Sequence, residues 1–427
     1  MATYSNSDAQ SYYQHSKNIQ QGFSNLEQEL EVDVCIIGGG FTGVASAIEL
    51  TERGYTVALL ESHTVGWGAS GRNGGQLIRG IGHDVDKFRS QIGDAGVELV
   101  EQLGNESLQV VKDRIAKYHI DCDLTLGYCD IANQHKHISY LQQSFEQLQK
   151  SGYPHELKLL DKQQVQQQVI GSKTALAGLV DMGSGHLHPL NLCLGEAHAA
   201  KQNGAHIFEH SPVINVVRGN PHQVFTDKGQ VKAKILIYGG NAYLQELEPQ
   251  LTGKVLPAGS YIIATEQLSD ELANKIMPAN FAICDQRVDL DYFRLSADNR
   301  MLFGGLCHYS GRDPKSVEAL LRPKMLEVFP ELKNVSIEFQ WGGMIGISAN
   351  RMPQIGRLDN NVYYAQGYSG HGVNVTHMAA KLIAEHIHGE SQRMQVFEQV
   401  KHMKFPGGKY LRSPMLALGM MYHKLFS

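Results

Sequence analysis

Three glycine-rich stretches hold the residues of this chain whose types and spacing could do chemistry. The first is Gly38-Gly39-Gly40-Phe41-Thr42-Gly43, which directly follows the apolar run Val32–Ile37. Gly38 permits a tight turn, Gly40 lets backbone approach a pyrophosphate, and Gly43 lets a following helix lie close to the strand. The helix that follows from Thr42 offers free amides and a positive dipole end to phosphate. Glu61 lies 21 residues after Gly40, at the end of a second apolar run, Tyr55–Leu60. A carboxylate there accepts hydrogen bonds from both ribose hydroxyls and repels a 2′-phosphate. Strand, helix and strand in this order form a right-handed crossover unit that binds a dinucleotide. On these residues alone NAD and FAD both remain open.

The second stretch, Gly66-Trp67-Gly68-Ala69-Ser70-Gly71-Arg72-Asn73-Gly74-Gly75-Gln76, decides between them. A loop so poor in side chains, just beyond the ribose acid, can fold over an extended cofactor. Ser70 and Arg72 reach for the pyrophosphate, and the backbone from Asn73 to Gln76 approaches an isoalloxazine edge. The third stretch, Gln366-Gly367-Tyr368-Ser369-Gly370-His371-Gly372, follows a strand and opens a helix at Val373. Amides of Gly370, His371, Gly372 and Val373, with the helix dipole, stabilise the negative charge that reduction places on the pyrimidine side of a flavin. The cofactor is therefore read as FAD. The His371 ring is a candidate contact to flavin or substrate, although its backbone alone could serve.

Several elements must position these residues. Helices are expected over 42–53, through most of 84–150, and over 191–203, 314–329 and 373–388. Strands are expected at 32–37, 55–60, 205–208, twice within 213–240, and at 362–366. A run of antiparallel strands spans 259–266, 290–295, 301–305 and 335–341, with a hairpin turn at Ser296–Arg300. The fold class that follows is α/β (α+β overall): a Rossmann-type FAD-binding domain with an inserted antiparallel β-sheet substrate domain. The FAD-binding part takes residues 31–90, 155–254 and 343–400, and the substrate cap takes 91–154 and 255–342. Residues 1–30 read as a surface arm and 401–427 as a tail. In that tail the apolar stripe of Pro414–Ser427 suits core packing or docking to a partner or membrane surface.

Composition excludes other classes. A net charge of −5 and a pI near 6.5 leave no electrostatic footprint for nucleic acid. The polar start has no signal-peptide pattern, and no apolar run is long enough to span a membrane, so a cytoplasmic setting is expected. The six cysteines form no CxxC pair, which argues for reduced thiols, with Cys35 a core residue of its strand. His186 and His188, like His386 and His388, read as solvated residues, and no metal is expected.

The Val34–Glu61 unit with Ala69–Gln76 resembles the D-amino-acid oxidase and glycine/sarcosine oxidase superfamily of flavoproteins. Tyr238–Ala242, Trp341–Met344 with Arg351–Gly356, and Gln366–Gly372 extend that resemblance over most of the chain, and it implies further cofactor contacts at Val213, Gly239, Gly240 and Gly343. Within it, the combination SGRNGGQ, NRMPQIGR and QGYSGHGVN is most similar to the bacterial gamma-glutamylputrescine oxidoreductases. The resemblance implies hydride transfer from a small amine to flavin, imine hydrolysis to an aldehyde, and reoxidation by oxygen or another electron acceptor. For that branch the substrate would be gamma-glutamylputrescine, in putrescine catabolism.

Some members attach FAD through a cysteine near the segment matching Trp341–Gly346. None stands there in this chain, so non-covalent FAD is expected. The lysine that promotes oxygen reaction in the sarcosine oxidase branch is also absent from Met301–Gly305, where Phe303 is the nearest match, so a dehydrogenase stays open. Tyr261, Tyr292 and Arg294 are the candidate substrate contacts on the inserted sheet. Tyr292 and Arg294 are spaced to share a face, and Arg294 suits a substrate carboxylate. A glycine, sarcosine or D-amino acid oxidase and a flavin-carrying subunit without catalysis are the other readings.

Overall fold

A computed structural model of the chain describes residues 11–244, 246–287, 290–308 and 314–405. The stripe Pro414–Ser427 and the side chain of Cys307 lie outside what is described.

The strand Glu29–Ile37 sits inside an eight-stranded sheet and pairs in parallel with Gln230–Tyr238 on one side and Val57–Leu60 on the other. Its last four residues, Val34 to Ile37, are buried, as a strand covered on both faces requires. Val362–Gln366 and His206–Phe208 extend the sheet in parallel, and Gln354–Asp359 closes one edge antiparallel. The 213–240 region holds one strand more than its sequence predicts: Asn215–Val217 and His222–Phe225 form a small ladder against Gln230–Tyr238. The helices Phe41–Glu52, Pro189–Gln202 and Val373–His388 pack together over this sheet.

Within this layer Gly43 is required for steric reasons. A Cβ there would stand 1.8 Å from the Gly38 carbonyl oxygen and 3.4 Å from Ile36 Cγ2. No side chain fits between the first turn of the helix and the strand it follows.

The second sheet has nine strands, in the order Ile337–Ser348, Val255–Thr265, Met301–His308, Tyr292–Leu295, Ala282–Asp285, Thr125–Ala132, Ala177–His186 and Gln76–Leu77, with Leu157–Leu160 beside Ala177–His186. Two expectations change here. Thr125–Ala132 lies in a segment read as helical, yet it is a central strand and pairs in parallel with Ala282–Asp285, so the sheet is mixed. Gln76–Leu77, Leu157–Leu160 and Ala177–His186, grouped by sequence with the nucleotide-binding part, belong to this sheet. Their long-range pairing leaves no mark on local periodicity.

The N-terminal segment is not simply a surface arm. Tyr12 and Tyr13 are buried, and Tyr12 donates to Asp298 Oδ1 at 2.7 Å. His186 and His188 are buried as well. The His188 Nδ1 accepts the Asn191 amide, capping the helix Pro189–Gln202, and His186 Nε2 lies 2.9 Å from the Asn280 carbonyl oxygen. Burial, and then the nearby Arg294 charge, pull both histidines down to about 3. No group of residues suited to a metal ion, and no helix long and apolar enough to cross a membrane, occurs among the described residues.

Candidate active site

One cavity of about 1940 Å3 runs from the end of the second parallel strand to the inner face of the nine-stranded sheet. Ordinary small-molecule sites hold roughly 300–1,000 Å3, so this one has room for an extended dinucleotide and a further ligand. Its walls bring together all three glycine-rich stretches.

At one end Glu61, Val213 and Gly38 line the cavity. The Glu61 carboxylate accepts the Gly39 amide at 2.7 Å through Oε2 and the His63 amide at 2.8 Å through Oε1. It thereby holds the turn, and since the Ser62 hydroxyl also donates to Oε1 at 3.2 Å, about one of a carboxylate's four accepting sites is left for a ribose. Gly40, Phe41 and Thr42 form the next stretch of wall, with Gly239 and Gly240 opposite. Here Ser70 accepts the Phe41 amide at 2.9 Å, and a Cβ on Gly40 would stand 2.8 Å from Ser70 Oγ. The loop of the second stretch thus closes directly over the phosphate loop.

Arg72 also lines the cavity, but its guanidinium is partly committed. Nε donates to the Trp67 carbonyl at 2.7 Å, and the group stacks over the Trp67 ring at 5.4 Å. Asn73 spends its side chain bracing the loop, donating to the Ala69 and Ser70 carbonyls and accepting the Gly75 amide. Gly74 and Gln76 reach the wall. Gly75 does not: its carbonyl takes the Leu187 amide at 2.7 Å.

The other end is made by Gly343, Gly370, His371, Gly372 and Val373. The 16-residue helix Val373–His388 starts there and directs its free amides and positive dipole end into the cavity. The His371 Nε2 donates to the Ile78 carbonyl at 3.1 Å. Burial holds this imidazole down at about 4, so it stands neutral and contributes no cation. Asn241, one residue past Gly240, accepts the Gly367 amide at 2.9 Å and joins this loop to the parallel sheet.

On the substrate side the three expected contacts separate. Tyr292 lines the cavity, lies over Gly74, and is 3.3 Å from Ser260 Oγ. Tyr261 does not reach the cavity. Tyr292 pairs opposite Gly304 and Tyr261 opposite Gly305, and adjacent strand positions face opposite ways. Tyr261 therefore packs into the far core beside Gly342, and its neighbour Ser260 takes the cavity face.

Arg294 shares the Tyr292 face but is consumed. It is buried and donates to the carbonyls of Gly74 (2.8 Å), Leu295 (3.0 Å) and Leu187 (2.8 Å), and to the Tyr13 hydroxyl (3.2 Å). It does not line the cavity and is not placed to take a substrate carboxylate. Tyr128, Asp130, Arg79 and Gln286 do line it. The Asp130 carboxylate accepts from Tyr128 (2.6 Å), Gln286 (2.9 Å) and Arg79 (3.2 Å). Sequence reasoning missed this cluster. The alternation Tyr128-Cys129-Asp130 was its available signal, hidden by the helical reading of the segment.

These residues fit a flavin dinucleotide on the structure's own terms. The cradle around Gly40 and Gly43 excludes side chains, the acid sits at the ribose position, and a helix start faces the opposite end. The family model described as DAO, FAD dependent oxidoreductase, matches residues 33–386. Gamma-glutamylputrescine oxidoreductase of Escherichia coli (strain K12) is 42% identical over 416 residues, covering 97% of each chain. A probable oxidoreductase, OrdL, of Haemophilus influenzae is 39% identical, over 97% of this chain and 96% of its own. The crystal structure of glycine oxidase from Geobacillus kaustophilus superposes with a TM-score of 0.75 at 19% identity, covering 88% of this chain and all of its own, a likeness of fold.

Proposed function

Since this chain belongs to the FAD dependent oxidoreductase family, we propose that it oxidises the primary amine of a gamma-glutamylated diamine, with gamma-glutamylputrescine as the leading substrate. The observation that carries the reading is the single cavity joining Glu61, the helix start at Val373 and the Tyr292 face of the second sheet. The 42% identity to a gamma-glutamylputrescine oxidoreductase supports the substrate.

In this reading Glu61 binds the ribose and the amides at Gly40–Thr42 bind the pyrophosphate. The helix start at Gly370–Val373 faces the pyrimidine edge, and Val213 and Gly343 pack on the cofactor. Attachment is non-covalent, since Trp341–Gly346 contains no cysteine. Bound FAD supplies a two-electron acceptor for the hydride equivalent leaving the amine-bearing carbon. Tyr292 and Ser260 orient that carbon and, with Ile78 and Ile345, exclude water around it. Desolvation there favours the free-base amine, whose lone pair drives the oxidation. No strong base is required, consistent with the neutral His371. Hydrolysis of the released imine then gives an aldehyde and ammonia.

An α-amino acid oxidase needs a guanidinium beside the reacting carbon. Arg294, on the Tyr292 face, is spent on four other acceptors and is not available to hold a carboxylate there. We also assign the parallel sheet to the nucleotide-binding body and the nine-stranded sheet to the substrate body. Anaerobic mixing with gamma-glutamylputrescine, putrescine, sarcosine, glycine and D-alanine tests the reading. Gamma-glutamylputrescine is expected to bleach the flavin fastest. Bleaching by sarcosine with none by gamma-glutamylputrescine would discard it.

A further inference from the structure

Tyr128, Asp130, Arg79 and Gln286 form a charged, mutually hydrogen-bonded cluster on the cavity wall. Asp130 and Arg79 expose only 16% and 14% of their side chains, and both reach the cavity. Asp130 is oriented by three donors. Arg79 is clamped from behind by Asp181, which is itself fully buried and takes further hydrogen bonds from Tyr153, Ser184 and the Gly183 amide. The two ion pairs use two of the five guanidinium N–H groups. One arginine against two aspartates leaves a single net negative charge, with a guanidinium and a carboxylate presented side by side. An α-ammonium beside an α-carboxylate is the complementary group.

Position points the same way. Asp130 pairs with Cys284, Cys284 with Tyr292 and Tyr292 with Gly304, so all four share the cavity face. Asp130 thus stands two strand spacings from Tyr292, about 10 Å. An extended gamma-glutamyl diamine spans about 10 Å from its reacting carbon to its α-carboxylate, taking about 3.5 Å for each three bonds of chain. With the reacting carbon beside Tyr292, the amino-acid head falls on Asp130 and Arg79.

We infer that Asp130 and Arg79 bind the zwitterionic α-amino-acid head of the substrate and so select gamma-glutamyl amides over free diamines. Asp130 takes the α-ammonium, Arg79 the α-carboxylate, and Tyr128 and Gln286 are positioning residues for Asp130. The inference rests on the function proposed above and adds the residues that set its specificity.

The test is rapid anaerobic mixing of the FAD-loaded enzyme, separating Kd from the limiting rate of flavin reduction. Gamma-glutamylputrescine is compared with glutarylputrescine, which lacks only the α-ammonium. The native enzyme is expected to bind the first about 30-fold more tightly, the yield of one charge-assisted hydrogen-bonded contact. In Asp130→Asn that preference collapses to within about threefold, and the loss falls on Kd rather than on the limiting rate. Equal Kd values in the native enzyme, or a preference retained in Asp130→Asn, would overturn the inference. If Asp130→Asn does not fold, the two ligands on the native enzyme and on Tyr128→Phe decide it, because Tyr128→Phe should shrink the same ratio. Flavin bleached by neither glutaryl nor gamma-glutamyl amide, but by sarcosine, would instead sink the proposed function.

Discussion

The Tyr368 hydroxyl lies 2.8 Å from Thr42 Oγ1, joining the loop Gln366–Gly372 to the helix Phe41–Glu52 across 326 residues of sequence. Both residues are largely buried. Tyr368→Phe leaves the Thr42 hydroxyl without this partner and lets the two cofactor-binding loops drift. A buried neutral hydrogen bond contributes about 1 kcal/mol, so the FAD dissociation constant should rise about fivefold on reconstitution of apoprotein. An unchanged constant would show that the loops are positioned independently.

Glu61 holds the turn through the Gly39 and His63 amides, and in the proposed function it also meets a ribose. Glu61→Gln keeps the shape and removes the charge. Hydrogen bonds to charged groups contribute about 1.5–3 kcal/mol, so FAD should bind about 10- to 100-fold more weakly. Equilibrium dialysis of the purified variant reads this directly.

Arg294 serves the fold rather than the substrate. Arg294→Ala leaves buried carbonyls of Gly74, Leu187 and Leu295 short of a donor, at a cost of roughly 3 kcal/mol. The expected result is a melting temperature several degrees lower and looser FAD, with the ratio of Kd values for gamma-glutamyl and glutaryl amides unchanged. A selective change in that ratio would return Arg294 to the substrate.

Acid should destabilise the protein through its buried histidines. His186 and His188 are held at about 3 and His371 at about 4, each chiefly by burial. An unfolded histidine protonates near its ordinary value of about 6.5. Below that pH the unfolded chain binds more protons than the folded one, so stability falls as pH drops from about 6.5 towards 4. Melting temperatures across that window should decline steeply. His186→Gln should flatten the decline, and an unaltered slope would remove His186 from the account.

Gly43→Ala tests the crossover itself. Its Cβ would overlap the Gly38 carbonyl oxygen, a backbone atom that cannot step aside. The variant should emerge without FAD, and a yellow, fully loaded Gly43→Ala would mean the helix can lift from the strand.

How much of this was legible beforehand follows the range of the interactions. The strand core Val32–Ile37, the loop Gly38–Gly43, the helix over 42–53 and Glu61 sit within a few dozen residues, so periodicity, glycine spacing and one acid determine them locally. The helix Val373–His388 and its glycine loop were equally open to reading. Segments whose order depends on distant partners were not. Thr125–Ala132 reads as helix on its own and becomes a strand because Ala177–His186 and Ala282–Asp285 flank it.

The amino-acid sequence by itself determined that the chain binds a dinucleotide, because turn, amide cradle, helix dipole and ribose acid are built from neighbouring residues, and the glycine loops Gly66–Gln76 and Gln366–Gly372 made that dinucleotide a flavin. Only the tertiary structure decided which side chains meet the substrate. A strand residue faces the cavity or the core according to its register with strands far away in sequence. That turned Tyr261 inward and Ser260 outward. The use of a charge likewise depends on which acceptors the fold brings to it, which closed Arg294 into the structure and left Asp130 and Arg79 on the wall.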